Sequence, residues 1–334
     1  MKIFRLSIGI LLLPIFITCQ EVDLYKYPAL QKAKETSLFR ADVDWDEISK
    51  EYIRIAESSE SETAKYEYLL LALGDDHGMF RNSTTFQPIA YYKGPSKDKR
   101  SFNRKFHNEV INDITARFSY QHLLEDIGYL KVVGIGPQNP MEVDAATIQN
   151  AIAELKSNGV DQWILDLRYN GGGNMNPMLS GLSALLGNGN IGGSIDKTGA
   201  IFQDFQIRDN KFYDTENLVI DIQNPIQGEI NDKVAVLISK YTASSGELTA
   251  VAFKGRDNTR FFGQRTDGKT TVTGWERIND ETMMLISLAY YQDRKGNVYE
   301  RGVEPDVEID FDGFGAFEDD VMIQKSTEWL KKKD

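Results

Sequence analysis

Apolar positions along this chain fall into three regimes. Residues Leu6 to Ile17 form one apolar run behind the basic residues Lys2 and Arg5. Pro14 interrupts the run, and it is shorter than the roughly 20 residues of a permanent membrane helix, so 1–18 reads as a cleaved secretory signal. Between 41 and 125 the spacing is helical where it is regular. Asp44 caps a stretch that continues through Ile55, and Tyr66, Leu69, Leu70 and Leu73 recur at helical spacing over Glu62 to Leu73. Arg81 to Ser119 is polar and weakly periodic, which predicts a loop-rich connector behind a small N-terminal helical cap.

From Ile127 onward, short buried strands alternate with helices. Strands are predicted at Ile127 to Val133, Trp163 to Leu167, Lys233 to Ser239, Arg260 to Gly263 and Thr282 to Tyr291. Helices are predicted at Ala145 to Ser157, about Asn176 to Leu186 and about Ser244 to Phe253. Gly187 to Asp232 is mixed, with β-like stretches at 200–207 and 218–222. The alternation predicts an α/β domain with a mostly parallel sheet over 126–312, followed by an amphipathic helix, Asp319 to Leu330, within 313–334.

Composition narrows the function classes. The net charge of −12 argues against nucleic acid as a partner, because phosphate binding needs clustered positive charge. Cys19 is the single cysteine, which rules out an internal disulfide. The segment Phe16-Ile17-Thr18-Cys19 resembles a bacterial lipobox. That likeness makes Cys19 the lipid anchor of an exported envelope protein, periplasmic or surface-facing, and 19–40 its tether to the membrane.

Two segments carry candidate chemistry. In the first, the strand ending at Ser239 runs through Lys240-Tyr241-Thr242-Ala243 into Ser244-Ser245-Gly246-Glu247. This sets Ser244 at a helix start, where free amides and the positive dipole end favour a developing anion. By itself such a serine is more often an N-cap than a nucleophile. In the second, Asp166-Leu167-Arg168-Tyr169-Asn170 leads into Gly171-Gly172-Gly173, whose exposed amides suit an oxyanion hole or simply a turn.

Taken together, the two segments resemble the C-terminal processing, or tail-specific, serine peptidases. Asp166 to Gly173 is similar to that family's Asp-Leu-Arg-x-Asn-x-Gly-Gly signature, and Thr242 to Glu247 to its nucleophile segment. Further likeness lies in Asp44-Trp45, in Leu73-Gly74-Asp75-Asp76-His77, in Ile127-Gly128-Tyr129-Leu130 and in Gly302-Val303-Glu304-Pro305-Asp306. The resemblance implies a ClpP/crotonase-like core and hydrolysis of peptide or protein substrates through an acyl-enzyme on Ser244. It also implies an oxyanion hole from Ser245 and Gly172 or Gly173, with Glu247 in support. Neither metal nor cofactor is implied. Too few residues separate Phe80 from Ile127 for a peptide-binding PDZ domain, so the chain is similar to the smaller branch without one.

The general base has two candidates. Lys269, in Gly268-Lys269-Thr270, stands 25 positions after Ser244, the family's usual dyad spacing. It would need burial to lower its pKa from about 10.4 toward neutrality. His77 is the alternative by resemblance to the tricorn core protease, and imidazole titrates near neutrality without that cost. Thr273 replaces the glutamine that often follows the dyad lysine, which strengthens the case for His77. A rival reading is a non-catalytic lipoprotein that holds a peptide or apolar ligand on the same fold.

Overall fold

Successive residues of the strand Lys233–Ile238 face two different hydrophobic clusters. Val234, Val236 and Ile238 belong to one, Ala235 and Leu237 to the other, as the two-residue period of a strand requires. A strand that is apolar on both faces needs cover on both. Helices Met141–Ser157, Met175–Gly181 and Ser245–Phe253 cover the first face. Helix Val321–Leu330 covers the second through Met322, Ile323 and Leu330.

The computed structural model describes residues 24–58, 62–94, 118–124, 126–223, 225–228, 230–311 and 319–332. The segment read as a secretory signal, Cys19 and most of the predicted connector lie outside the described residues. Among those described, one sheet has six strands in the order Val307–Glu308, Thr259–Gly263, Lys233–Ile238, Gln162–Asp166, Ile127–Val132 and Phe118–Leu124. Its neighbours are parallel except for the last pair.

The mostly parallel arrangement predicted from the sequence describes that sheet only. A second sheet of nine strands is antiparallel and carries the strands Met79–Asn82, Gly189–Ile195, Ile201–Arg208, Thr271–Arg277 and Thr282–Gln292. Much of the mixed region after Gly187 therefore forms hairpins rather than crossover units. The loop between Ile195 and Ile201 shows why: Asp196 Oδ1 accepts the amides of Thr198 and Ala200, closing a turn too short to join parallel neighbours. Strand Thr271–Arg277 has only Val272 and Trp275 as large apolar residues, so its alternation is faint in the sequence.

The N-terminal helices form a core of their own against the antiparallel sheet. Leu30, Tyr52, Leu69 and Leu70 pack with Phe80, Met284 and Ile286. Asp44 caps helix Trp45–Glu57 as predicted, accepting the amides of Asp46 at 2.9 Å and Glu47 at 3.2 Å. A further helix, Pro28–Thr36, occupies part of the stretch read as a tether and buries Ala29, Leu30 and Ala33. The single helix predicted over 176–186 is two, Met175–Gly181 and Ser183–Leu186, divided at Leu182.

Candidate active site

The Asp-Leu-Arg part of the glycine motif is structural. Arg168 is 1% exposed, and its guanidinium donates twice to Asp166, at 3.0 and 2.7 Å, and once to Asp320 at 2.6 Å. Burial alone would ease its proton off, but the charges of Asp166 and Asp320 outweigh that and hold the guanidinium protonated. Asp320 also caps helix Val321–Leu330 through the amides of Met322 and Ile323, so the motif fastens that helix to the parallel sheet.

Beyond Arg168 the same loop is stitched to the one after Lys233–Ile238. The Thr242 hydroxyl donates to the Leu167 carbonyl at 2.8 Å, the Ser239 hydroxyl to the Arg168 carbonyl at 2.6 Å, and the Ala243 amide to the Asn170 carbonyl at 2.9 Å. These bonds fix Ser244 against the glycines. Gly172 has φ 105° and Gly173 φ 112°, both in the left-handed region that favours glycine. A Cβ on Gly172 would lie 2.9 Å from Ser244 Cβ, and one on Gly173 would lie 2.2 Å from the Ile135 carbonyl oxygen. Both positions therefore exclude a side chain.

Ser244 itself has φ 53° and ψ −121°, an unfavourable backbone for a residue with a side chain, costing about 1 to 3 kcal/mol. It stands at the N-cap of helix Ser245–Phe253, with its hydroxyl 3.0 Å from His77 Nε2. These two residues are 167 positions apart in the chain. His77 Nδ1 lies 2.8 Å from the Thr271 hydroxyl. His77 is only 7% exposed. Burial, with the charge of Lys269 adding to it, lowers the His77 pKa from 6.5 to about 3, while a backbone contact with Thr271 pulls the other way.

The remaining predicted residues divide between the site and its support. Lys269 is not buried: its side chain is 41% exposed and pairs with Asp267 at 3.6 Å. It bears on the site through its charge on His77. Glu247 is buried and accepts the Ser244 amide at 2.9 Å, the Gly268 amide at 2.8 Å and the Thr266 hydroxyl. Burial pushes its carboxyl up to about 7 against those three bonds. The Ser245 hydroxyl donates to the Gly173 carbonyl at 2.7 Å, and the Gly172 amide donates to Asn170 Oδ1 at 3.1 Å. Asp75 and Asp76 belong to no cluster of metal-binding type among the described residues.

Three residues at the site escape the sequence reading: Asn170, Thr271 and Ser287. Asn170 lies inside the glycine motif, where its bond to the Gly172 amide was open to prediction. Thr271 and Ser287 carry no local signal. Two hollows adjoin the site. One, of about 620 Å³, is polar and lined in part by Asp76, Arg265, Gly268, Lys269 and Arg301. The other, of about 330 Å³, includes Val133, Gly134, Ile135 and Ile148, next to Gly172 and Gly173.

Ser244, at a helix start and with φ 53°, thus lies 3.0 Å from His77 Nε2 and against the Gly172–Gly173 turn. Residues 126–309 match the profile of Peptidase family S41, and the chain belongs to that family. It is 31% identical over 173 residues to the nisin-resistance protein of Lactococcus lactis subsp. lactis, covering 47% of this chain and 48% of that protein. It is 28% identical over 187 residues to the chloroplastic C-terminal processing peptidase of Tetradesmus obliquus, covering 56% and 36%. The aligned stretch thus spans less than half of either relative. In fold the chain is similar to a lipoprotein from Streptococcus agalactiae, with TM-score 0.69, 22% identity and coverage of 97% and 99%. It is also similar to the photosystem II D1 C-terminal processing protease, with TM-score 0.55, 16% identity and coverage of 84% and 91%.

Proposed function

We propose that this chain is an exported serine peptidase in which Ser244 is the nucleophile and His77 the general base. His77 Nε2 takes the Ser244 proton as the oxygen attacks a peptide carbonyl, and returns it to the leaving amine. Water then cleaves the acyl-enzyme with the same histidine as base. Two amides are suited to the tetrahedral oxyanion: that of Ser245, first residue of its helix, and that of Gly173. Gly172 is the poorer donor because Asn170 already holds its N–H.

The observation that carries this reading is the 3.0 Å contact between Ser244 Oγ and His77 Nε2. Lys269 is half exposed and turned to Asp267, and it bears on the site through its charge on His77. The polar and apolar hollows beside the site suit the two sides of an extended peptide. A relative named for nisin resistance makes nisin the first substrate to assay. The envelope location rests on Cys19, and mass spectrometry of the mature N-terminus tests whether a diacylglyceryl cysteine begins the chain.

A fluorophosphonate probe, together with hydrolysis of casein and nisin, tests the chemistry. Labelling and hydrolysis by the wild type, with both lost in Ser244→Ala and hydrolysis lost in His77→Ala, are the expected results. A well-folded wild type that neither labels nor cleaves would return the chain to the ligand-binding alternative. Full activity in His77→Ala would remove the histidine from the mechanism.

A further inference from the structure

His77 does not meet a carboxylate directly, yet a continuous chain of buried groups leads from its far nitrogen to one. Nδ1 lies 2.8 Å from Thr271 Oγ1, Thr271 Oγ1 lies 3.0 Å from Ser287 Oγ, and Ser287 Oγ donates to Asp75 Oδ1 at 2.7 Å. Asp75, Ser287, Thr271 and His77 are all buried. Asp75 also accepts three backbone amides: Ser287 at 2.9 Å, Gly78 at 3.0 Å and His77 at 3.3 Å. Every partner of that carboxyl is a donor, and three of the four, the amides of His77 and Gly78 and the Ser287 hydroxyl, converge on Oδ1.

The direction of the chain follows from its end. Asp75 Oδ1 accepts the Ser287 hydroxyl, so Ser287 must accept from Thr271, and Thr271 in turn must accept from Nδ1–H. The remaining ring nitrogen, Nε2, is then the acceptor that faces Ser244. We propose that Thr271, Ser287 and Asp75 form a positioning relay that fixes the tautomer and orientation of His77 for proton abstraction. The inference rests on His77 being the base and adds the groups that make it one. No net proton moves along the relay: when Nε2 is protonated in the transition state, Nδ1–H stays in place and its bond to Thr271 shortens.

Replacements that keep shape but alter hydrogen bonding test the relay. Thr271→Val should lower kcat about 10- to 100-fold with KM nearly unchanged, and Thr271→Ser should restore it. Asp75→Asn can turn an N–H toward Ser287 and reverse the chain, so it should lose at least as much kcat. The chain has three histidines, which keeps its nitrogen-15 spectrum sparse. In the wild type His77 should give the Nδ1–H tautomer, and in Thr271→Val a mixture.

Wild-type kcat in Thr271→Val, or an Nε2–H tautomer in the wild type, overturns the relay. If Thr271→Ser is as impaired as Thr271→Val while both keep the wild-type melting temperature, the hydroxyl is irrelevant and the relay also fails. Activity that survives in His77→Ala is a different failure, that of the underlying mechanism. The spectrum reads the tautomer whether or not a substrate is known.

Discussion

Two buried groups at this site titrate in opposite senses, so the stability of the protein between pH 4.5 and 6.5 should hide a large effect. His77 is neutral in the folded chain down to about pH 3, whereas the unfolded imidazole takes a proton near 6.5. Below 6.5 the unfolded state therefore binds a proton that the folded state refuses. Stability falls with decreasing pH by about 1.4 kcal/mol per unit, to a limit of about 5 kcal/mol near pH 3. Glu247 runs the other way. Its carboxyl is pushed up to about 7 from an ordinary 4.5, so the folded state holds its proton more tightly. Its contribution is full below 4.5 and is lost as pH rises through 7, about 3 kcal/mol in all.

Between 4.5 and 6.5 the two slopes oppose each other, and below 4.5 His77 acts alone. Urea unfolding at half-unit pH intervals, on the wild type, His77→Gln and Glu247→Gln, separates them. Differences between curves remove the other titrating groups, among them Asp75, whose carboxyl burial also pushes up. Subtracting Glu247→Gln from the wild type should leave stability that declines from pH 4.5 to 7. Subtracting His77→Gln should leave stability that declines from 6.5 toward 3. The same neutrality predicts an acid limb of kcat/KM well below pH 6.5. Parallel stability curves for wild type and His77→Gln, or an acid limb near 6.5, would refute the buried neutral imidazole.

Lys269→Ala should keep activity within about threefold of the wild type, whereas loss of a general base costs about 100- to 10,000-fold. With one of the charges that depress His77 gone, the acid limb of its pH profile should also move upward. Gly172→Ala introduces a methyl 2.9 Å from Ser244 Cβ at a φ of 105°, and steady-state assays should find kcat lower by about 100-fold from displacement of the nucleophile. Arg168→Met leaves Asp166 buried without its partner and should cost about 3 to 5 kcal/mol in chemical denaturation. Residual activity per folded molecule should be little changed, because Arg168 fastens the C-terminal helix and does not touch Ser244.

What the sequence disclosed, and what it withheld, follows from the range of each signal. The proposed nucleophile and the glycine amides are local: each is a strand, a turn and a few residues whose spacing is read directly. Their partnership follows from Lys233–Ile238 and Gln162–Asp166 being parallel neighbours, with both loops leaving at the same sheet end. The proposed base was legible only as one of two candidates, because spacing favoured Lys269 and nothing along the chain reports burial. Thr271 and Ser287 were invisible for a related reason. They meet His77 and Asp75 through contacts spanning 194 and 212 residues, and each is an ordinary hydroxyl residue in a strand.

The parallel sheet supplies Ser244 and the glycine loop, whereas His77 immediately precedes strand Met79–Asn82 of the antiparallel sheet, and Thr271 and Ser287 lie on strands of that same sheet. On the proposed mechanism, neither sheet holds a working nucleophile by itself. The hydroxyl and its proton acceptor meet only where the two layers dock, and Glu247 crosses the junction by accepting from Ser244 on one side and from Thr266 and Gly268, which lead into strand Thr271–Arg277, on the other. A change that loosens the docking while leaving both sheets intact should therefore abolish hydrolysis before it unfolds the protein.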